Sequence, residues 1–515
     1  MRVVHAVVAV LALGGCALTG PGGDPADVSV AIGGPAELLP SAAGDRDSAQ
    51  VLAALFTPLV RYDDQRRPVP AAASAVTSKD NRTWRITLAD GYTFHDGSPV
   101  TAADYVTAWN YAAYGPNRQR NAYLLDRVQG FADMQGDAPP ATTLYGLKAA
   151  DERTVEVRLA LPFPDFPAML GHPAFLPLPA AAWESPGRLR PGFAGAVVGQ
   201  GPYRLAGGDG DDGLRVERYD AHPAPGRVGS IEFRVYPSSG RAYRDLLDGD
   251  LDVDAALPPG ELAGAAERLG DRYAVVPTST MTFLAAPGLA DPRARQAVSM
   301  ALDRDALVAA HAPGSEQPAR SFVPPLVPGH RADACGAPCR HDPGAARALY
   351  AAANGPAELT VAHTADGGHA DWVTAACAQL TAALAVTCTP APYDTLDALL
   401  DEVRRGAPVS LFRMSWSMDY PSMESYLTPL FTAAGSSNYG GYQSGDVDTL
   451  AQKATTARNA ATATALHQQI EDVLVRDMPA IPLRWGQRAV GHSERVTGVT
   501  LDVYEVVDVT RLELR

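Results

Sequence analysis

Lysine is almost missing from this chain. Of 43 basic residues only Lys79, Lys148 and Lys453 are lysines, and the rest are arginines. With 47 glycines, 43 prolines and abundant alanine, that bias reads as genome base composition and not as an arginine site. Positive charge is short overall, with 58 acidic residues and a formal net charge of -15. A nucleic-acid binder needs a basic face, so this balance argues against one. Aromatic residues make up only 7% of the chain, few for the stacking surfaces that sugars favour. After the first residues no stretch reaches the roughly 18 apolar residues of a membrane-spanning helix. GxSxG, HExxH and phosphate-loop signatures are missing. Carboxylates abound, but no spacing singles out an acid and a base.

Two motifs come close and fail. Gly208, Gly210 and Gly213 match GxGxxG, but the strand pattern LRVERY follows. A pyrophosphate site needs a helix N-terminus there, so a hairpin loop is expected instead. Asp248, Asp250, Asp252 and Asp254 resemble a calcium loop. Val253 stands where that loop needs glycine, and Pro259 where it needs a bidentate glutamate. His363 and His369 could reach one metal ion, yet a glycine-rich loop separates them. No catalytic residue, metal ligand or cofactor is assigned.

The N-terminus reads as a processing signal. Arg2 precedes the apolar run Val3 to Leu13, and Leu13-Gly14-Gly15-Cys16 then places small residues before a cysteine. Cleavage before Cys16 would leave a thiol able to carry a lipid, so the mature protein is expected to be anchored to a membrane and not threaded through it. Residues 1–16 are the signal, and 17–26 form a flexible, glycine-rich tether. Four cysteines remain, and export permits disulfides. Three pairings are possible. The local pairs Cys335–Cys339 and Cys377–Cys388 are favoured, with a CxxxC metal or redox site as the rival.

At 515 residues the chain is long enough for two or three packed units. Its first half is strand-rich. Trp84, Ile86 and Leu88 alternate with polar residues, as do Val155, Val157 and Leu159, and Leu214 to Tyr219 and Ile231 to Tyr236 read the same way. A helix is expected from about Thr101 to Tyr114, capped by Thr101 with Asp104 three residues on. From about residue 286 the pattern changes. Asp291-Pro292 and Asp342-Pro343 each signal a helix start. Then come a strand at Leu359 to His363, a helix at Ala370 to Leu384, a strand at Val386 to Thr389, a helix spaced by Leu396, Leu399, Leu400 and Val403 with Gly406 as its stop, and a strand at Val409 to Met414. That alternation implies parallel strands with right-handed crossovers. Ligands of such sheets bind beyond the carboxyl ends of the strands. His369, Tyr393, Arg413, Trp416 and Asp419 lie at those ends and are expected to converge on one rim. Each also has a plainer reading: Trp416 as core, Asp419 with Tyr420-Pro421 as a turn.

Several segments carry a resemblance to a known family. LFTPLVRYDDQRRPVP, WRITLADGYTFHDGSPVTAADYVTAWN, VVGQGPYRL, DPRARQAVSMALDRDAL, SWSMDYPSMESYLTPLF, SSNYGGYQSGDVDTL and DMPAIPLRW follow one another in order. Together they resemble the family 5 bacterial extracellular solute-binding proteins, the oligopeptide- and dipeptide-binding group of ABC importers. GQGPY and ELLPS depart from the family's usual forms, the second near a ligand-facing strand. The resemblance implies an α/β, two-lobed periplasmic-binding-protein-like clamp of the class II type, with an extra domain inserted in the first lobe. Lobe I would comprise 27–60, 170–285 and 480–515, the insertion 61–169, and lobe II 286–479.

The resemblance also implies roles. Asp419 takes the place of the acid that meets the ligand amine, and Trp416 lines that pocket. Arg413 and His369 match residues that meet peptide carboxylates, and Tyr393 matches an aromatic pocket position if a short gap is allowed. The implied function is capture of small peptides outside the cell and delivery to an importer's permease subunits, by a monomer held to the outer face of the membrane through Cys16. The rivals are the same fold with a nickel complex, haem or oligosaccharide as cargo, a surface interaction protein that has lost transport, and a hydrolase.

Overall fold

The alternation read in the sequence becomes two large hydrophobic cores and two smaller clusters arranged about one long sheet. The structure, a computed structural model, describes residues 27–185, 187–208, 213–407 and 409–515. The expected signal with Cys16, the tether, and Gly210 of the GxGxxG match lie outside the described residues. The strand Asp27–Ile32 is buried along nearly its whole length. It pairs in parallel with Ser230–Val235 and with Val253–Asp254, so it is covered on both sides. The hairpin Tyr203–Gly207 and Gly213–Arg218 extends this half.

Beyond Val253–Asp254 the sheet continues through two 13-residue strands, Ala480–His492 and Tyr273–Ala285, into Leu411–Trp416, Glu358–Thr364 and Thr387–Tyr393. The short strand Glu316–Pro318 pairs on the side with Ala480–His492. The long strands run from a smaller cluster around Tyr243, Leu246 and Leu269, where Tyr273 and Ala489 pack, into the core of the second lobe. Tyr273–Pro277 pairs with Gln487–Gly491, and after a break in register Met281–Ala285 pairs with Ala480–Trp485. Met281, Phe283, Ile481, Leu483 and Trp485 pack in the second core.

The crossing has its own fastenings. Ser279 donates both its backbone N–H and its hydroxyl to Glu505 Oε1, at 3.0 and 3.2 Å. Tyr426 donates its hydroxyl to the Ser279 carbonyl from the other lobe. Gly486 faces this turn so closely that a Cβ there would stand 2.2 Å from Thr278 Oγ1. Any larger residue there would force the Thr278 hydroxyl to move.

A separate four-stranded antiparallel sheet runs in the order Ala73–Ser78, Thr83–Leu88, Thr154–Arg158, Leu147–Asp151. Trp84, Ile86, Leu88, Val155 and Val157 turn inward, as their alternation requires. The helix Ala102–Ala113 belongs to this unit. The Asp104 carboxylate accepts from the backbone N–H and the hydroxyl of Thr101, which holds the first turn closed. Trp109 packs edge-on against Phe175 at 5.1 Å, so this unit and the first lobe share one core.

In the second lobe the proline-led helices form as expected. Asp291 accepts from the Arg293 N–H to cap Pro292–Ala301, and Asp342 from the Ala345 N–H to cap Pro343–Ala352. Glu358–Thr364 pairs in parallel with both Thr387–Tyr393 and Leu411–Trp416. Thr387–Tyr393 is longer than its sequence suggested and runs through Pro390 and Pro392. It is the edge of the sheet, where proline's missing N–H costs no ladder bond. Both local disulfides are present, Cys335–Cys339 and Cys377–Cys388, the second tying the helix Ala370–Leu384 to the edge strand.

Candidate ligand-binding cleft

The order of the three parallel strands puts Glu358–Thr364 in the middle: the helix Ala370–Leu384 leads from it to the edge strand Thr387–Tyr393, and the helix Leu396–Arg404 leads from that edge strand back past it to Leu411–Trp416. Their carboxyl ends share one edge of the second lobe. Tyr393 closes the edge strand and pairs with Thr364. His369 stands just before the helix Ala370–Leu384. Leu411–Trp416 is shifted two residues later than its sequence suggested, so the strand ends on Trp416 and Arg413 lies in its middle and not at its end.

Around Arg413 a charged group assembles. Arg413 donates to Ser415 Oγ at 3.2 Å. Among the described residues it has no carboxylate within ion-pair distance, and its Nε is buried without a hydrogen-bond partner. Arg484, on the crossing strand, lies 2.7 Å from Glu316 Oε2, near enough for an ion pair though not aligned as a hydrogen bond. Its guanidinium also covers the Trp372 ring at 4.6 Å. The Trp372 indole N–H points to His369 Nδ1 at 3.4 Å. Burial, then the positive charges of Arg413 and Arg484, lower the His369 pKa to about 4. Burial and Arg484 lower that of Arg413 as well. Glu316 and Asp366 oppose these positive charges from nearby, but neither reaches Arg413 as a direct ion pair.

Asp419 lies elsewhere on the rim. It is half-buried, and its Oδ1 accepts from the Tyr123 hydroxyl at 2.7 Å. Burial raises its pKa, opposed by that hydrogen bond and reinforced by Glu424. It has no ion pair among the described residues. Trp416 is also half-buried, and its indole N–H donates to the Ser425 carbonyl at 2.7 Å. Strand alternation sends Trp416 to the face opposite Arg413, which shares its face with Ser415. The five expected residues therefore form two groups, Arg413 with His369 and Asp419 with Trp416 nearby, while Tyr393 lies along the edge strand.

The surroundings of Asp419 come from the four-stranded unit. Arg127 pairs with Glu424 at 2.6 Å and stacks over Phe163 at 4.0 Å. Tyr420 donates to Glu424, and Ser422 donates to Asp165 at 2.6 Å. The sequence reading did not single out Tyr123, Arg127, Arg484 or Glu316. Tyr123 sits in a single helical turn, Arg127 in a loop and Glu316 on a three-residue strand, where no periodicity marks them, while Arg484 falls within the DMPAIPLRW segment, which marks the family but not the residue's role. A cavity of about 380 Å³ lies apart from all five expected residues, between Leu52 and Phe56 of the first core and Leu326 of the second.

Two lobes on one sheet, joined by through-running strands and with charged groups at the strand ends where they face, define a two-lobed solute-binding protein. The comparisons agree. The profile of the bacterial extracellular solute-binding proteins, family 5, matches residues 67–438. The probable deoxycholate-binding periplasmic protein YgiS of Escherichia coli is 25% identical over 477 residues, covering 87% of this chain and 86% of its own. The periplasmic murein peptide-binding protein MppA of the same species is 25% identical over 475 residues, covering 87% and 85%. The unliganded open form of the MppA murein tripeptide binding protein shares the fold with a TM-score of 0.83 at 23% identity, over 95% of this chain and 97% of that one. This chain belongs to the bacterial extracellular solute-binding proteins, family 5. Among the described residues no helix is long and apolar enough to cross a membrane.

Proposed function

We propose that this chain is the receptor of an ABC importer, capturing short peptides between its lobes and handing them to the permease subunits. The observation that carries this reading is the pair Arg413 and Asp419. Both are half-buried near the carboxyl end of one strand, they have opposite charge, and neither is ion-paired among the described residues. A peptide zwitterion supplies both missing counter-charges: its amine for Asp419, its carboxylate for Arg413 with His369 beside it. Trp416 and Tyr393 contribute aromatic surface along the same rim. The printed name of MppA, a murein peptide-binding protein, supports a peptide cargo.

Capture follows from the cost of burying charge. In water both groups are solvated, so an open cleft tolerates them. Closure removes that water, and the pair is favourable only when the ligand's charged ends replace it. A ligand that does so shifts the balance of open and closed forms, and the closed form is what the permease reads. The chain acts as a receptor and not a catalyst, as a monomer with no cofactor. In the domain scheme 27–60, 170–285 and 480–515 make lobe I, 61–169 its insertion and 286–479 lobe II. A lipid on Cys16 holds the mature protein at the outer face of the membrane, and a Cys16→Ala variant is expected to escape into the medium.

Native mass spectrometry of the protein purified from its own cells tests the cargo. Bound masses that fragment as peptides are expected. A bile acid, the cargo in the name of YgiS, offers a carboxylate for Arg413 but no amine for Asp419. Recovery of such an amine-free cargo overturns the peptide reading.

A further inference from the structure

We propose that a cavity in the first lobe is a side-chain subsite that favours a basic group of the ligand, a lysyl ammonium or an arginyl guanidinium. The inference rests on the peptide reading above and adds the class of peptide.

The cavity holds about 230 Å³ and opens at the carboxyl ends of Asp27–Ile32 and Val253–Asp254. This is the first lobe's counterpart of the rim that bears Arg413, and strand ends of this kind are where such sheets take ligands. It lies beside the crossing, since Glu505, which lines it, holds Ser279.

Charge in the cavity is unbalanced. Asp47, Asp254 and Glu505 supply three carboxylates, against the guanidiniums of Arg46 and Arg488. Both arginines turn to the same acid: Arg488 lies 3.4 Å and Arg46 3.7 Å from Glu505 Oε2. Neither Asp47 nor Asp254 has an ion pair among the described residues. Asp254 is only 2% exposed. One of its oxygens accepts the Ala256 N–H at 2.9 Å, while Oδ2 finds no donor. An acceptor left unmatched in so buried a place is costly, and a ligand cation is the partner it lacks. Burial raises the Asp254 pKa to about 6, so at neutral pH its carboxylate is mostly ionised. The Asp47 pKa is also raised by burial, with no cation close enough to reverse the shift.

The chemistry distinguishes ligand classes. A lysyl or arginyl side chain neutralises the surplus charge and donates to Asp254. A norleucyl side chain fills similar space and leaves Oδ2 unmatched. A glutamyl side chain adds a fourth carboxylate.

The test is calorimetry on the full mature protein with tripeptides that place lysine, norleucine or glutamate at each position in turn among alanines. In the unaltered protein, lysine at one position is expected to bind about tenfold or more tighter than norleucine there, with glutamate weakest, as close charge pairs at interfaces do. In the Asp254→Asn variant the lysine-to-norleucine ratio at that position is expected to fall to within about threefold. Asp47→Asn, at a more exposed carboxylate, gives the same readout should Asp254→Asn fold poorly. Peptides that bind with no basic preference at any position overturn the subsite while leaving the peptide reading in place. A protein that binds none of these peptides overturns the reading on which it rests.

Discussion

Tyr123 donates its phenolic hydrogen to Asp419 Oδ1 at 2.7 Å, joining the short helical turn Ala122–Leu125 to the second lobe. The acid proposed to meet the ligand amine is thus already satisfied at one oxygen, and the other remains for the ligand. The arrangement fixes the carboxylate's direction before any ligand arrives, which lowers the cost of ordering it on binding. Replacing Asp419 with alanine is expected to weaken peptide binding by about 3–5 kcal/mol, the usual cost of removing one partner of a buried charge pair. That is roughly a hundredfold or more in affinity. Acetylating the peptide amine should cost a similar amount in the unaltered protein and almost nothing further in the Asp419→Ala variant, because both changes remove one interaction. Calorimetry gives all four affinities. Additive losses separate the acid from the amine.

Arg413 poses the complementary question at the other end of the peptide. Its side chain is a half-buried cation whose Nε has no partner. Its charge bears on His369, whose pKa is lowered to about 4. Bringing a carboxylate to this place relieves both strains, and His369 then gains protons. Peptide binding buffered near pH 5.5 is therefore expected to take up hydrogen ions, seen as a binding heat that changes with the buffer's ionisation enthalpy. Amidating the peptide's carboxyl end should abolish that uptake. An uptake that persists with the amidated peptide removes the Arg413–His369 group from the site.

The expectations that held were those resting on local chemistry. Thr101 with Asp104, Asp291 before Pro292 and Asp342 before Pro343 announce helix starts because capping needs only neighbouring atoms. Trp84, Ile86 and Leu88 announce a strand because burial on one face demands alternation. The parallel order of Glu358–Thr364, Thr387–Tyr393 and Leu411–Trp416 follows from strands that alternate with helices. What stayed hidden was pairing across long stretches of chain. Nothing near Arg127 announces Glu424, nearly three hundred residues on, and nothing near Arg484 announces Glu316. The separation of Arg413 from Trp416 turned on where the strand ends, at Trp416 and not at Met414 as its sequence suggested. Those two residues decide whether Trp416 belongs to the strand and so faces away from Arg413.

The pair Arg127–Glu424 bears on how firmly the two lobes hold together. Glu424 is 6% exposed, receives the Tyr420 hydroxyl and lies 2.6 Å from Arg127. Replacing Arg127 with methionine keeps the apolar stem over Phe163 and leaves the buried carboxylate without its cation. A loss of about 3–5 kcal/mol in unfolding free energy is expected. The double variant Arg127→Met, Glu424→Gln should recover much of it, since a neutral amide no longer demands a counter-charge. Denaturant titrations of the three proteins decide the matter, and a double variant no more stable than the Arg127→Met single shows that the charge was not the cause.

Asp165 gives the same contact a pH dependence whose sign can be worked out. It is 5% exposed and accepts the Ser422 hydroxyl at 2.6 Å. Burial raises its pKa from 3.8 to about 6, and the nearby Glu424 adds to the effect. Between those two values the folded protein holds a proton that the unfolded chain has released. Stability from this group is therefore greatest below pH 3.8 and is lost as pH rises towards 6, by roughly 3 kcal/mol for a shift of about two pH units. Asparagine keeps a side-chain oxygen to accept from Ser422 and cannot ionise. The Asp165→Asn variant should then match the unaltered protein near pH 4 and exceed it in unfolding free energy by a few kcal/mol at pH 7.5, with the difference opening between. Denaturant midpoints at four or five pH values follow that curve. A variant less stable than the parent at pH 7.5 shows that the ionised carboxylate is better stabilised by Arg127 and Ser422 than its burial implies.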